Sequence, residues 1–310
     1  MPESFVNQAT GRCSVQGSKY WFNCNPDGPY HWFKINWINK STGYLGKEKT
    51  AKVRAEAAAK GLEAGLKNIL YVHFTMDDNL SLSEEIKARY RSMYTGVFFK
   101  RYILGLWAMA EGIIYDMFDA DKHVQKITDF FRCLKDGGRY VSCDYGTQNA
   151  TVFLLWNKGN NGKWYCVREY YYSGRAKGKQ KTDGEYADDF EKWLDGVPIR
   201  AVIVDPAAAS FIAELRKRGY RVLKADNDVE DGIREVASML NMGLLVFCDT
   251  CINTIMEFGS YIWDEKAAQQ GEDRPVKEND HAMDAVRYFV YTILSKRTGR
   301  VKNKAKYGFD

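Results

Sequence analysis

The 310-residue chain contains no Gly-x-x-x-x-Gly-Lys-Ser/Thr. The glycines and lysines of 159–163 and 174–179 stand at the wrong spacing, so no loop is expected to cradle a nucleoside triphosphate. On this reading the chain does not hydrolyse ATP by itself. No run approaches the roughly 20 apolar residues that a membrane-spanning helix needs, and the N-terminus lacks a signal-peptide pattern. A cytoplasmic protein with no membrane partner is the expectation. Histidine is scarce, with four copies, and the seven cysteines form no framework, which fits a reducing compartment. Cys248 and Cys251 make a lone Cys-x-x-Cys without the second pair that a four-ligand zinc site requires, so they read as buried thiols at a strand end. A net charge of +5 is too mild to establish nucleic-acid binding.

What is present is enough for a real core: 45% hydrophobic residues and 14% aromatics, in a length that suits one large domain or one and a half ordinary ones. Residues 1–40 are aromatic-rich. Lys19-Tyr20-Trp21-Phe22-Asn23-Cys24 predicts a strand stopped by the turn Asn25-Pro26-Asp27-Gly28-Pro29, and 31–38 predicts a further ordered element. These pieces are too few to close a core alone. Residues 41–68 are alanine-rich and predict a solvated helix or semi-rigid linker, within a linker or subdomain running over 41–123. Tyr71-Val72-His73-Phe74 predicts a short strand, and 84–94 a helix capped by Ser81 or Ser83.

From about 124 the pattern becomes regular. A strand ending at Asp144, then 151–156 and 164–172 joined by a turn at 159–162, predict three antiparallel strands. Strand–helix alternation follows: a helix with Tyr186, Phe190, Trp193 and Leu194 on one face, a strand ending at Asp205, a helix over 211–215, and a strand over 221–224. A helix carrying Ile233, Val236, Ala237 and Leu240, a strand over 244–247 and a helix over 255–262 come next. The final helix, 281–294, buries Ala282, Ala285, Val286, Phe289 and Ile293. This is the order of a ribonuclease H-like α/β domain, a mixed sheet flanked by helices, over 124–296. A basic tail, 297–310, follows.

The stretch Val141-Ser142-Cys143-Asp144-Tyr145-Gly146-Thr147-Gln148-Asn149 holds a carboxylate at a strand end, with Gly146 leaving room for a phosphate or a backbone to approach. Asp205-Pro206 repeats the strand-end acid. On the last helix Asp280, His281 and Asp284 share a face, which is opposite the apolar one. Such a helix can aim Asp284 at Asp144 and Asp205. Clustered carboxylates repel unless a cation neutralises them, and hard oxygen donors favour Mg²⁺ or Mn²⁺. Two ions could then carry phosphodiester cleavage. Asp144, Asp205, Asp284 and Asp280 are the candidate metal ligands. His281 fits equally a hydrogen-bond partner, a proton carrier or an ordinary first-turn residue, and a lone strand-end aspartate also fits a cap. Arg175, Lys177, Lys179 and Lys181 form a basic loop suited to phosphates, as does the tail 296–306; a solvated loop and tail explain them equally well.

Several stretches together resemble the large terminase subunit of tailed bacteriophages: Phe22-Asn23-Cys24-Asn25-Pro26-Asp27-Gly28-Pro29-Tyr30-His31-Trp32, Leu104-Gly105-Leu106-Trp107, Glu111-Gly112-Ile113-Ile114-Tyr115, Asp144-Tyr145-Gly146, Val204-Asp205-Pro206 and Asp280-His281-Ala282-Met283-Asp284-Ala285-Val286-Arg287-Tyr288. The resemblance covers nearly the whole chain except 41–68, and the last motif is its most specific part. It implies a packaging ATPase joined to a nuclease that cuts concatemeric viral DNA, with portal protein and small terminase subunit as partners in the infected cell's cytoplasm. Asp144, Asp205 and Asp284 match the family's metal-binding acids, with His281 beside the third. Asn25 matches the motif coupling ATP hydrolysis to movement, and Arg12 is a weaker match to a nucleotide contact. The family's phosphate- and Mg²⁺-binding ATPase motifs are absent, so 1–40 is expected to be an incomplete remnant of a P-loop ATPase domain. The main expectation is a metal-dependent endonuclease acting on double-stranded DNA. The alternatives are a non-catalytic fragment that docks on DNA or portal, and another ribonuclease H-like enzyme such as a Holliday-junction resolvase or integrase.

Overall fold

The computed structural model describes residues 3–12, 14–45, 67–146 and 149–295. Most of the alanine-rich stretch and the basic tail 296–310 lie outside the described residues. The chain divides into two compact units, one formed by Met1–Gly112 with Trp263–Arg274, the other by Ile113–Ile262 with the residues from Pro275 onward. No helix among the described residues is long and apolar enough to cross a membrane.

In the first unit, short helices span Glu3–Gly11, Trp32–Asn36, Glu84–Met93, Gly96–Tyr102 and Glu265–Gln269, and two parallel strands span Ser41–Leu45 and Lys67–Val72. Ser83 caps the Glu84 helix by accepting the Ile86 N–H. The strand expected over Lys19–Cys24 is not formed: the segment has no sheet partner among the described residues. Its aromatic rings serve a different packing, with Tyr20 and Phe22 against Trp37 and Phe22 edge-on to Phe33. A strand needs a neighbour to pair with, and here side-chain contacts replace the ladder. The strand expected over 71–74 ends instead at Val72, beyond which a His73 ring nitrogen bonds the Gly105 carbonyl. A buried Arg101 organises this unit, ion-paired with Asp273 and with Asp27 (3.1 Å) and donating from Nε to the Ala108 carbonyl.

The second unit is built on a seven-stranded sheet: β1 (Val124–Gln125), β2 (Tyr140–Asp144), β3 (Ala150–Lys158), β4 (Trp164–Ser173), β5 (Ala201–Val204), β6 (Val222–Lys224) and β7 (Leu245–Cys248). The spatial order is β1-β7-β4-β3-β2-β5-β6. β3 runs antiparallel to both β2 and β4, and every other neighbouring pair is parallel. The strands are near-continuous apolar runs because helices cover both faces. The helices that bear on the site are α1 (Gly174–Lys177), α2 (Asp183–Leu194), α3 (Ala209–Lys217), α4 (Val229–Asn241), α5 (Ile252–Ser260) and α6 (His281–Phe289). On one face Val141, Cys143, Phe153 and Leu155 pack with Tyr186 and Phe190 of α2 and Phe211 and Leu215 of α3.

The other face receives α6. Alternation along β2 turns Tyr140, Ser142 and Asp144 to this side. Phe289 of α6 stacks on Trp156 (centroids 4.4 Å apart, planes 9° from parallel) and meets Trp164 edge-on, while the Trp156 indole N–H donates to Ser142 Oγ. The apolar face expected of α6 is buried, and burial extends to its polar side as well: Ala282 through Phe289 are all buried, acid and basic residues included. The helix also ends early. After Phe289 it widens into a π turn, Val290–Leu294, in which the Thr292 hydroxyl accepts the Asp226 N–H. Replacing Phe289 by Ala empties the centre of this layer and is expected to cost about 3–5 kcal/mol, measured as a lower urea midpoint with an unchanged slope.

Candidate active site

Sheet register brings the first two acids together. Cys143 pairs with Val204 on parallel strands β2 and β5, so Asp144 and Asp205, one residue further on, leave neighbouring strands side by side. Strand spacing sets their backbones about 4.8 Å apart. Gly146 makes the turn after Asp144 possible: a Cβ there would stand 2.8 Å from the Ala150 carbonyl oxygen. It is the backbone of β3 that comes close, and Thr151 closes the turn by donating from Oγ1 to the Gly146 carbonyl. Asp205 turns its own loop, accepting the Ala207 N–H at 2.7 Å, and accepts the Tyr288 hydroxyl at 2.6 Å.

α6 delivers the rest. Asp280 precedes its first turn, and its carbonyl accepts the Asp284 N–H. His281 Nδ1 lies 2.9 Å from Asp144 Oδ2 and 4.0 Å from Asp280 Oδ1. Asp284 accepts from Arg287 Nη2 at 2.8 Å, and Lys277 Nζ stands 3.2 Å from Asp280 and 3.6 Å from Asp284. Arg287 is itself held by the carbonyls of Asn227 and Asp228, and it passes so close to α4 that a Cβ at Gly232 would lie 2.6 Å from its Cγ.

The electrostatics follow from this enclosure. Burial raises the Asp144 carboxyl to about 6; the His281 hydrogen bond opposes that, and the charges of Asp284 and Asp280 add to it. Burial works against charge on His281, but the hydrogen bond and charge of Asp144, with Asp280 and Glu257, outweigh it and raise the imidazole. The pair therefore holds a proton between Nδ1 and Oδ2 near neutral pH.

Glu257 of α5 escaped the sequence reading. It accepts the N–H groups of Ala282 and Met283, which open α6, together with the Tyr171 hydroxyl (2.7, 3.3 and 2.9 Å). The available signal was one acid in an otherwise apolar helix, Ile252-Asn253-Thr254-Ile255-Met256-Glu257-Phe258. Lys277 and Arg287 were also missed as partners of the acids, although Arg287 stands three residues after Asp284, the spacing of a helical ion pair.

The donor set of Asp144, Asp205, Asp280 and Asp284 is entirely hard oxygen and fits Mg²⁺ or Mn²⁺ in kind. Proximity is a separate matter. Among the described residues no three His, Cys, Asp or Glu side chains come close enough to share one ion. Asp280 and Asp284 are held instead in ion pairs with Lys277 and Arg287.

The basic loop splits in two. Lys179 pairs with Glu185; Lys181 pairs with Asp189 and lies over the Tyr172 ring. Arg175 and Lys177, on α1, are exposed. α1 follows Ser173, which pairs with Ala150, while Asp144 pairs with Val152, so α1 leaves the same end of the sheet as the acids. Arg12 and Asn25 belong to the first unit and are exposed. Cys248 and Cys251 are buried thiols, with Cys251 Sγ 3.8 Å from Cys166 Sγ.

Comparison with known proteins shows which proteins the chain resembles. The family model of the terminase RNaseH-like domain matches residues 143–292. The structure of the large terminase from a thermophilic bacteriophage is similar at 54% identity and a TM-score of 0.81, over 95% of this chain and 68% of that one. The ADP complex of the same protein matches equally well, over 67% of its chain. The large terminase subunit of Escherichia phage T5 is 26% identical over 250 residues, 77% of this chain. The chain spans 55% of the length of that curated relative.

Burial that raises Glu257 to about 7 outweighs its hydrogen bonds from Tyr171, Ala282 and Met283. A carboxyl whose folded pKa exceeds its unfolded value supports folding below the unfolded value, near 4.5, and loses that support as pH rises through 7. Urea midpoints of the wild type are therefore expected to fall from pH 4.5 to 7.5 relative to those of Glu257→Gln. Parallel curves would contradict the assignment.

Proposed function

This chain belongs to the large terminase family, and we propose on that premise that its second unit is an endonuclease that hydrolyses double-stranded DNA with divalent metal. The observation that carries this reading is the register that sets Asp144 and Asp205 side by side at the ends of parallel strands, with His281 and Asp284 brought over them by one helix.

In this reading Asp144, Asp205 and Asp284 would hold the metal, two ions in all, once drawn together by it, with Asp280 at its margin. Bound Mg²⁺ or Mn²⁺ supplies water activation and stabilisation of the leaving oxygen. The chain's own groups prepare the place. His281 orients Asp144 through Nδ1, Tyr288 fixes one oxygen of Asp205, and Arg287 fixes one oxygen of Asp284. The Lys277 side chain is largely exposed, so it could withdraw to solvent if a bound cation took over its pairing with the buried Asp280 and Asp284. Arg175 and Lys177 then contact backbone phosphates beside the acids, an interaction with little sequence preference.

The same reading extends to the family's biology as part of the proposal. The substrate is concatemeric viral DNA in the host cytoplasm, with portal protein and small terminase subunit as docking partners. Residues 1–40, with Asn25 in the coupling role, correspond to the end of a packaging ATPase domain. The relative from the thermophilic bacteriophage has been solved with ADP and with ATP-gamma-S, which supports a nucleotide-using region in the longer protein.

Incubating supercoiled plasmid with the chain in Mn²⁺ or Mg²⁺ is expected to nick and linearise it, and EDTA to stop the reaction. Asp144→Ala and Asp205→Ala should lower the rate by at least ~100-fold, the scale of losing a group that acts only in the transition state. DNA binding without cleavage, unchanged by either substitution, would replace the nuclease with a docking fragment.

A further inference from the structure

A cavity lies at the opposite end of the same sheet from the acids. Its volume is about 380 Å³, and it is lined by Tyr140, Arg200, Ala201, Arg221, Leu223 and Ile293. Tyr140 opens β2 and Asp144 closes it, so the cavity is separated from the acids by about 13 Å of strand. It is a different place from the candidate active site, and nothing in the proposed cleavage uses it.

Its chemistry is specific. Arg200 and Arg221 each immediately precede a strand, and those strands, β5 and β6, are parallel neighbours tied there by the Val202 N–H donating to the Arg221 carbonyl. Two guanidinium groups thus stand beside one cavity on adjacent strands. Neither has an ion-pair or hydrogen-bond partner among the described residues. Several other arginines of this unit are engaged: Arg168 with the Trp193 carbonyl, Arg216 with the Val222 carbonyl, Arg218 with Asp188, Glu191 and Glu214, and Arg287 with Asp284. Both arginines are exposed, and two unpaired guanidinium groups beside one cavity give it a positive potential that suits an anion. Guanidinium forks suit phosphate in particular, because they present paired N–H donors. The remaining wall is apolar: Leu223, Ala201 and Ile293, with the Tyr140 ring, which sits 6.1 Å from Phe289.

We propose that this cavity binds a phosphorylated nucleotide, its phosphate on Arg200 and Arg221 and its base or sugar against Tyr140, Leu223 and Ile293. The volume suits one nucleotide rather than a stacked run. The same chemistry is offered by a free nucleotide and by one residue of a DNA strand, and two measurements separate these sources.

In the first, deoxyadenosine 5′-monophosphate is titrated into the full chain in EDTA while the methyl resonances of Ala201, Leu223 and Ile293 are followed. Deoxyadenosine without phosphate is the control. Shifts with the monophosphate alone, weakened by at least ~10-fold in Arg200→Ala/Arg221→Ala, support the site. In the second, duplex DNA binding is measured against salt in EDTA. If strand phosphates occupy the site, the double variant lowers the salt slope by about 2, the release expected for two lost phosphate contacts. A response to the monophosphate with an unchanged duplex slope identifies a free nucleotide as occupant, and a changed slope identifies the strand. No response in either measurement overturns the proposal, as does an acidic peptide that shifts these methyl groups when the nucleotide does not. Circular dichroism of the double variant controls for folding. Both measurements are made without metal and without cleavage, so they stand whether or not the acids prove catalytic.

Discussion

The second unit depends on two carboxylates, buried Glu257 and half-buried Glu169, that close the starts of α6 and α5. Glu257 accepts the first N–H groups of α6, and Glu169 of β4 does the same for α5 by accepting the N–H groups of Asn253 and Thr254. A helix start leaves several N–H donors without partners, and in an apolar interior each is costly. These two glutamates answer that need and run in series: β4 fixes α5, α5 fixes α6, and α6 carries His281 and Asp284. The position of the third acid is thereby referred back to the sheet that carries the first two. One carboxylate per joint suffices because carboxylate oxygens accept several donors: Glu169 gives one oxygen to each N–H, and Glu257 takes both on Oε2 while Oε1 accepts the Tyr171 hydroxyl.

The cost of enclosing charge shows in the acids themselves. Asp144 and Glu257 are both pushed upward by burial despite several donors. Asp284 is balanced by Arg287, whose guanidinium also satisfies two carbonyls beside α4. Gly232 is therefore part of the acid site's support although it lies on a helix that bears none of the acids. A side chain there would displace Arg287 and, with it, the partner of Asp284. The arrangement is a set of compensated charges, with Asp280 and Asp284 each paired to a basic side chain.

Much of the second unit was legible because its signals are local. The period-2 run ending at Asp144, the turns around Gly159 and Gly162, and the apolar stripes of α2 and α4 each point to one element type, and the strand–helix order then suggests the mixed sheet. Tertiary partners were not legible. Lys19–Cys24 has strand composition, yet its rings are used against Trp37 and Phe33. In α6 the polar face was expected to meet the other acids, but nothing local reveals that Glu257 and Lys277 also lie beside the start of the helix. Arg200 and Arg221 were unremarked because their meaning lies in the pairing of two strands, twenty residues apart in the chain.

The two units are not consecutive in sequence, because Trp263–Arg274 belongs with the first. The chain leaves the nuclease-like sheet after Ile262 and returns at Pro275, only a few residues before Lys277 and the acid helix. Within the first unit, Asp273 is enclosed against Arg101, and Trp263 packs on Phe98. A fragment begun at Ile113 would therefore carry the excursion while lacking what receives it, leaving a carboxylate without its guanidinium and an indole without its cover. The nuclease unit is thus modular in architecture but not severable by a single cut, and the piece it must borrow is spliced in just ahead of its last acid.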